Sequence, residues 1–246
     1  MNHIKLFVFY LSLILILVSI YMVHNYYKYK DFSGYSIKKL GKENIKSGDI
    51  FLVAYHKPQN LIGDLLMKVK FNHVSLAVWE NGELYLIEYA NYFDKYQGLL
   101  KIPYERWIRF NKNTTILKNS ISLSFSQNEK EDREREEKKR REKEEERERE
   151  KKILEYYYQN KDKMSEFKGG WNMSWYRFLY KKNKYRPLDL SYQTTCTEIM
   201  VSLLGDSGIV KKEKALSDYH QSDFIGMSGF SLPNNIKYTR DYLCSL

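Results

Sequence analysis

Phe71–Ala90 reads FNHVSLAVWENGELYLIEYA, and the fold is read outward from it. Two runs rich in Val, Leu, Ile, Tyr and Trp flank Asn81-Gly82, a pair suited to a two-residue hairpin turn because both central positions need positive φ. Glu80 then faces Glu83, Ser75 faces Glu88 and His73 faces Ala90. Side chains alternate along a strand, so His73, Ser75 and Ala77 share one face with Leu86, Glu88 and Ala90, and His73 lies diagonal to Glu88. An imidazole and a carboxylate therefore meet on one face of an apolar hairpin. Two readings stay open on the hairpin alone: a strand-end histidine beside a solvated glutamate, or a base with its orienting acid.

The chain has 246 residues, of which 43% are hydrophobic, enough for one or two domains with one good core. Its 41 basic and 31 acidic residues leave a net charge of +10, a balance suited to anionic surfaces. Five histidines and two cysteines make neither a disulfide scaffold nor a cysteine-rich zinc site. No motif for nucleic acid or for a cofactor stands out, and neither is expected.

Leu6–Val23, LFVFYLSLILILVSIYMV, carries no charge and is just long enough to cross a bilayer as a helix. It predicts a single-pass anchor, with residues 1–30 as anchor and juxtamembrane segment and the lipid bilayer as partner of residues 6–23. A cleaved signal peptide is the competitor, but no clear small-residue cleavage site follows. Lys28, Lys30, Lys38 and Lys39 lie downstream against one lysine upstream, which places the main domain in the cytosol. Tyr21, Tyr26, Tyr27 and Tyr29 suit the interfacial belt or a plain juxtamembrane linker.

Residues 31–246 are expected to form the domain. Asp31–Lys46 reads as a linker, Ser47-Gly48-Asp49 as a turn and Ile50–Tyr55 as the first strand. After Pro58, NLIGDLLMKVKF can form a short helix. Short strands are expected near Leu99–Ile102 or Thr115–Phe125. Tyr238–Leu246 is left between a final short strand and a frayed end.

From Glu129 to Lys152 every residue is charged, with acidic and basic residues in equal number. Pairs such as Glu137 with Arg141 and Glu148 with Lys152 have the favourable i,i+4 order, each contributing about 0.2–0.5 kcal/mol to an isolated helix. A solvent-exposed helical insert over about 127–156 follows. It lacks the apolar seam that pairs coiled-coil strands, although its composition resembles one, and it can act as a spacer or dock a protein partner.

The aromatic segment Gly169–Tyr180 gives a helical core face through Trp171, Trp175, Phe178 and Leu179, and Lys181, Lys182, Lys184 and Arg186 follow as a basic patch. Thr195 with Glu198 three residues later forms a capping box that opens a helix through Leu204, with Gly205 as its stop. Cys196 occupies the first helical position. Unpaired amides and the positive helix end there stabilise a thiolate and face a developing oxyanion. A buried packing cysteine is the alternative reading, and His220 reads as a surface or helix-end residue.

In sequence order, Gly48-Asp49-Ile50, His73-Val74-Ser75-Leu76, Ile87-Glu88-Tyr89 and Cys196-Thr197-Glu198 resemble the circularly permuted papain-like branch of the NlpC/P60 superfamily. That branch includes YiiX-like proteins, a poxvirus group and relatives of lecithin:retinol acyltransferase. The resemblance covers roughly Ile45–Val210, interrupted by the charged insert, and implies an α+β fold with a small antiparallel sheet packed against helices. It also implies Cys196 as nucleophile, His73 as base and Glu88 as orienting acid, acting on a peptide, amide or acyl-lipid substrate as hydrolase or acyltransferase, without metal. A zinc site of His73, Glu88 and Cys196 would lack a further Cys or His pair at ligand spacing. The non-enzymatic alternative is a membrane-tethered adaptor that keeps the fold and loses catalysis.

Overall fold

In the computed structural model, residues 2–29, 31–55, 70–92, 96–123, 132–165, 195–219, 221–232 and 236–245 are described. The fold is α+β, with a seven-stranded mixed sheet. Its centre is β2 (Ile50–Ala54), whose five residues are all buried because both faces of the sheet are covered. Strand β3 (His73–Glu80) pairs antiparallel with β2 and with β4 (Glu83–Tyr92), and β5 (Tyr96–Pro103) closes that side. The hairpin register is the one its turn dictates: Glu80 faces Glu83 and Ser75 faces Glu88. Asn81 and Gly82 take φ of 52° and 80°, the left-handed values that the turn requires.

The other half of the sheet is larger than the sequence suggests. Residues 31–46 are not a plain linker, because β1 (Ile37–Lys39) lies within them. The carboxyl end is not frayed: β9 (Ile236–Ser245) sits inside the sheet, parallel to β1 and antiparallel to β6 (Thr115–Leu123). The sheet is accordingly mixed rather than wholly antiparallel, with order β1-β9-β6-β2-β3-β4-β5. Two-residue strands β7 (Lys211–Lys212) and β8 (Phe230–Ser231) form a separate pair. Both expected strand regions after the hairpin are present, as β5 and β6.

Alternation along β2 divides the core between the faces. Ile50, Leu52 and Ala54 join Val74, Leu76, Ile87 and Tyr89 on one side, with Phe51, Val53, Ala77, Leu86 and Ile116 on the other. Helix α2 (Tyr104–Phe110) brings Trp107 into the second cluster, where its ring meets Phe51 edge-on at 5.4 Å. The first cluster is covered by α3 (Asp132–Asn160) and α4 (Cys196–Asp206), through Ile153 and Tyr156 from α3 and Ile199, Met200 and Leu203 from α4.

The charged helix therefore departs from the expected excursion at its carboxyl end. It continues to Asn160, and its last turns enter the core. Arg149 is buried, and Glu150 accepts the Ser47 hydroxyl at 2.9 Å. A Cβ on Gly48 would stand 3.0 Å from the Arg149 side chain, and φ there is +93°, so the Gly48-Asp49 turn needs glycine for both space and conformation. Farther along, Glu137–Arg141 and Glu148–Lys152 are ion pairs at 3.8 and 3.0 Å.

The turn leads into a buried ion pair. Asp49 Oδ2 lies 2.6 Å from Lys118 Nζ, and the ammonium also donates to the Asn44 carbonyl. Burial raises the Asp49 pKa, and the Lys118 charge only partly opposes this.

Helix α1 (Asn2–Tyr29) contains Lys5–His24, which is apolar and long enough to cross a bilayer and is not covered by protein. Helix α4 does not stop at Gly205. It runs to Asp206, and Gly208, at φ +71°, supplies the left-handed residue after it. The expected helix after Pro58, the Trp171 core face, the basic patch and His220 lie outside the described residues.

Candidate active site

His73 is the first residue of β3, so its ring stands at the end of the sheet rather than over its middle. The strand start is tied to β2 beyond the ladder: Asn72 accepts from the Tyr55 amide at 2.9 Å and donates to the Tyr55 carbonyl at 3.2 Å. The diagonal relationship across the hairpin becomes a contact, with His73 Nε2 2.9 Å from Glu88 Oε2.

Glu88 is fully buried on an otherwise apolar face, where an unpartnered carboxylate would be costly. Three donors converge on Oε2: His73, the Ser75 hydroxyl at 2.6 Å and the Trp107 indole N–H at 3.0 Å. Hydrogen bonds to a charged group contribute about 1.5–3 kcal/mol each. Burial pushes the carboxyl pKa up, but His73 and the two other donors outweigh it and hold Glu88 below its ordinary range. Oε1 is equally buried and takes no hydrogen bond from the described residues.

The same balance fixes the histidine. Burial lowers the imidazolium pKa, but the Glu88 carboxylate and the Cys196 sulfur more than reverse this, leaving His73 well above its ordinary value. With Nε2 held by Glu88, Nδ1 is the ring nitrogen left for the thiol.

Cys196 begins α4, and Thr195 caps it as its sequence predicts. The Thr195 hydroxyl accepts the Glu198 amide at 3.2 Å, and the Glu198 carboxylate accepts the Thr195 amide at 2.9 Å. The Cys196 and Thr197 amides are left outside that box. Helix α4 packs on β3 and β4, which brings its amino terminus to the end of the sheet where His73 stands. Burial raises the thiol pKa, yet the hydrogen bond to His73 and the charge on that ring draw it below the ordinary thiol value, with help from Gln221. The Gln221 side-chain amide donates to the sulfur at 3.8 Å.

Cys244 provides the contrast. It is also a half-buried free cysteine, but burial outweighs the nearby Lys118 charge and pushes its thiol up to about 12. Environment therefore separates the two thiols in opposite directions.

The structure thus pairs His73 with Glu88, and the His73 ring and the Cys196 thiol each shift the other's pKa. Sequence reasoning put Ser75 opposite Glu88 without giving it a task, and it missed Trp107, Gln221 and Tyr55. Tyr55 stands with its ring 5.8 Å from that of His73 and its hydroxyl 2.9 Å from the Tyr92 hydroxyl. Burial, followed by the Glu88 charge, raises both phenol pKa values, so both remain protonated donors. Trp107 and Gln221 come from an α-helix and a 3-10 helix distant in sequence, and no local pattern marks them. Among the described residues no group of three or more His, Cys, Asp or Glu could hold a metal ion.

No family model and no curated protein matches this chain. Among solved structures, the metalloprotein YiiX of Escherichia coli O157:H7 shows a distant likeness, with 12% sequence identity and a TM-score of 0.41 over 79% of this chain and 96% of that one.

Proposed function

We propose that this protein is a membrane-anchored thiol enzyme of the permuted papain-like kind, a hydrolase or acyltransferase in which Cys196 is the nucleophile, His73 the base and Glu88 the group that orients it. One observation carries the reading: the His73 ring is held by a buried carboxylate and itself lowers the pKa of the Cys196 thiol. A packing cysteine has no need of either partner.

The chemistry follows from the positions. The Cys196 proton passes to His73, and the thiolate attacks an amide, ester or thioester carbonyl. The negative charge that develops on the carbonyl oxygen falls near the Gln221 amide and the two uncapped amides at the start of α4. As the carbonyl reforms, the bond to the leaving group breaks and the imidazolium returns its proton to that group, leaving an acyl thioester on Cys196. Water, deprotonated by His73, then attacks the thioester and releases the acid with the free thiol. If an alcohol or amine takes the place of water, the same step is acyl transfer. Glu88 keeps Nε2 engaged throughout and stabilises the imidazolium without itself taking up a proton.

The test is mass spectrometry of the intact protein after brief exposure to an activated thioester. Expected is a single acyl adduct on Cys196 that is absent in Cys196→Ser and formed at least tenfold more slowly in His73→Ala. An unmodified Cys196, or acylation indifferent to His73, overturns the enzyme in favour of a tethered adaptor.

A further inference from the structure

We infer that Tyr55 is a positioning residue for His73, whose ring holds the imidazole from the β2 side in the orientation that Glu88 and Cys196 require and favours its charged form. The inference rests on the thiol chemistry proposed above and adds to it a group outside the Cys196, His73 and Glu88 set.

Strand register sets the contact. Val53 of β2 faces His73 of β3, so Tyr55, two residues on, is the diagonal neighbour of His73 on that side, as Glu88 is on the β4 side. Diagonal neighbours meet when a side chain is aromatic or long, and the Tyr55 and His73 rings lie 5.8 Å apart at 43°. Tyr55 is the first residue past the end of β2, where a chain is ordinarily free to turn away. Asn72 prevents this. Its side chain accepts the Tyr55 amide at 2.9 Å and donates to the Tyr55 carbonyl at 3.2 Å, while its own amide donates to the Val53 carbonyl at 3.0 Å. The Tyr55 backbone is therefore pinned by the residue immediately before His73.

The far end of the Tyr55 side chain is held as well. Its hydroxyl lies 2.9 Å from that of Tyr92, the last residue of β4, and the Tyr92 ring stacks on Phe110 with centroids 4.6 Å apart. The Asn111 side-chain amide donates to the Trp107 carbonyl at 2.9 Å and also acts on the Tyr92 hydroxyl. Phe110 and Asn111 end α2, the helix whose Trp107 donates to Glu88. A closed circuit of contacts thus runs from the imidazole through Glu88 to α2 and returns through Tyr92 and Tyr55 to the same ring. Rotation of His73 about its side-chain bonds has to break the Glu88 bond or displace Tyr55.

Among the described residues, Glu88 from β4, Cys196 from α4 and Tyr55 from the end of β2 face the imidazole, with Tyr92 behind Tyr55. Burial and the Glu88 charge keep both phenols protonated, so Tyr55 offers His73 a neutral ring and not a second anion. An aromatic ring within about 6 Å of a desolvated cation attracts it enough to move a titration by about half a pH unit or more.

The test reads the pH midpoint of Cys196 alkylation in the full-length protein by peptide mass spectrometry. Cys244 in the same sample reports folding, because unfolding would bring its thiol down from about 12. Tyr55→Leu removes the aromatic ring and should raise the Cys196 midpoint by about half a pH unit or more. It should also slow acylation of Cys196 by an activated thioester about tenfold, through lost orientation of the base. Tyr55→Phe returns the ring and should restore both. In a His73→Ala background Tyr55→Leu should change neither, because Tyr55 acts through the imidazole. Where Cys244 shows that Tyr55→Leu unfolds, Tyr55→Met carries the same expectation. A response to His73→Ala with none to Tyr55→Leu, a Tyr55→Leu effect that persists without His73, or no restoration by Tyr55→Phe overturns the role of Tyr55 and leaves the thiol reading intact. No response to His73→Ala itself removes the thiol reading and the role of Tyr55 with it.

Discussion

Trp107 donates its indole N–H to the same oxygen of Glu88 that His73 engages, at 3.0 Å against 2.9 Å, so the carboxylate that holds His73 is itself held from outside the hairpin. Helix α2 therefore acts on the candidate site through Glu88, without touching the thiol.

Removing a donor from Glu88 should be felt both in acid stability and at the sulfur. The lowered Glu88 pKa contributes stability that is present above the ordinary carboxyl value and lost as pH falls through the lowered one. Trp107→Phe and Ser75→Ala each remove one bond to a charged acceptor and should cost about 1.5–3 kcal/mol at neutral pH. Acid unfolding followed by circular dichroism should move to higher pH in both variants.

The histidine predicts the opposite limb. In Cys196→Ser protein, where Glu88 is left to hold the ring, His73 contributes stability that is complete below its unfolded value of 6.5. That contribution is lost as pH rises through the raised folded value. Thermal unfolding of Cys196→Ser should therefore decline more steeply from neutral to alkaline pH than that of Cys196→Ser with His73→Gln.

The buried pair of Asp49 and Lys118 supports the turn that starts β2. Lys118→Met leaves an uncompensated carboxylate and should cost about 3–5 kcal/mol, while the double variant with Asp49→Asn should recover part of that loss. Urea unfolding of the four proteins in the cycle gives the coupling energy, and additive losses would remove the pair from the account.

The charged helix should divide into a dispensable and an anchored part. Replacing Glu129–Arg147 by a flexible linker of similar reach should leave stability nearly unchanged. Extending the replacement through Lys152 also removes the buried Arg149 and the Ser47–Glu150 bond, and should lower stability by about 1–3 kcal/mol.

The hairpin and the capping box were legible because their rules are local: Asn81-Gly82 sets the register, and Thr195 with Glu198 sets the start of α4. The pairing of β1 with β9 was not, because it joins residues about two hundred apart through a three-residue exposed strand with no apolar pattern of its own. The charged helix misled at its end because Arg149 is buried by a tertiary contact with the Gly48 turn, which no helical pattern encodes. Gly205 looked like a stop, but the helix passes through it and ends before Gly208, a shift within the ordinary uncertainty of helix ends. Of the site, the diagonal of His73 and Glu88 came from register, whereas Trp107 and Gln221 reach it from elements whose placement is set by packing.

The most direct test of the central claim is the pH dependence of Cys196 alkylation, read site by site by peptide mass spectrometry with Cys244 as the internal reference. Cys196 should react as a thiolate below the ordinary thiol pKa of 9.0, Cys244 should follow a thiol raised to about 12, and His73→Ala should move Cys196 to 9.0 or above. A wild-type Cys196 that ionises at or above 9.0, with no response to His73→Ala, would contradict it.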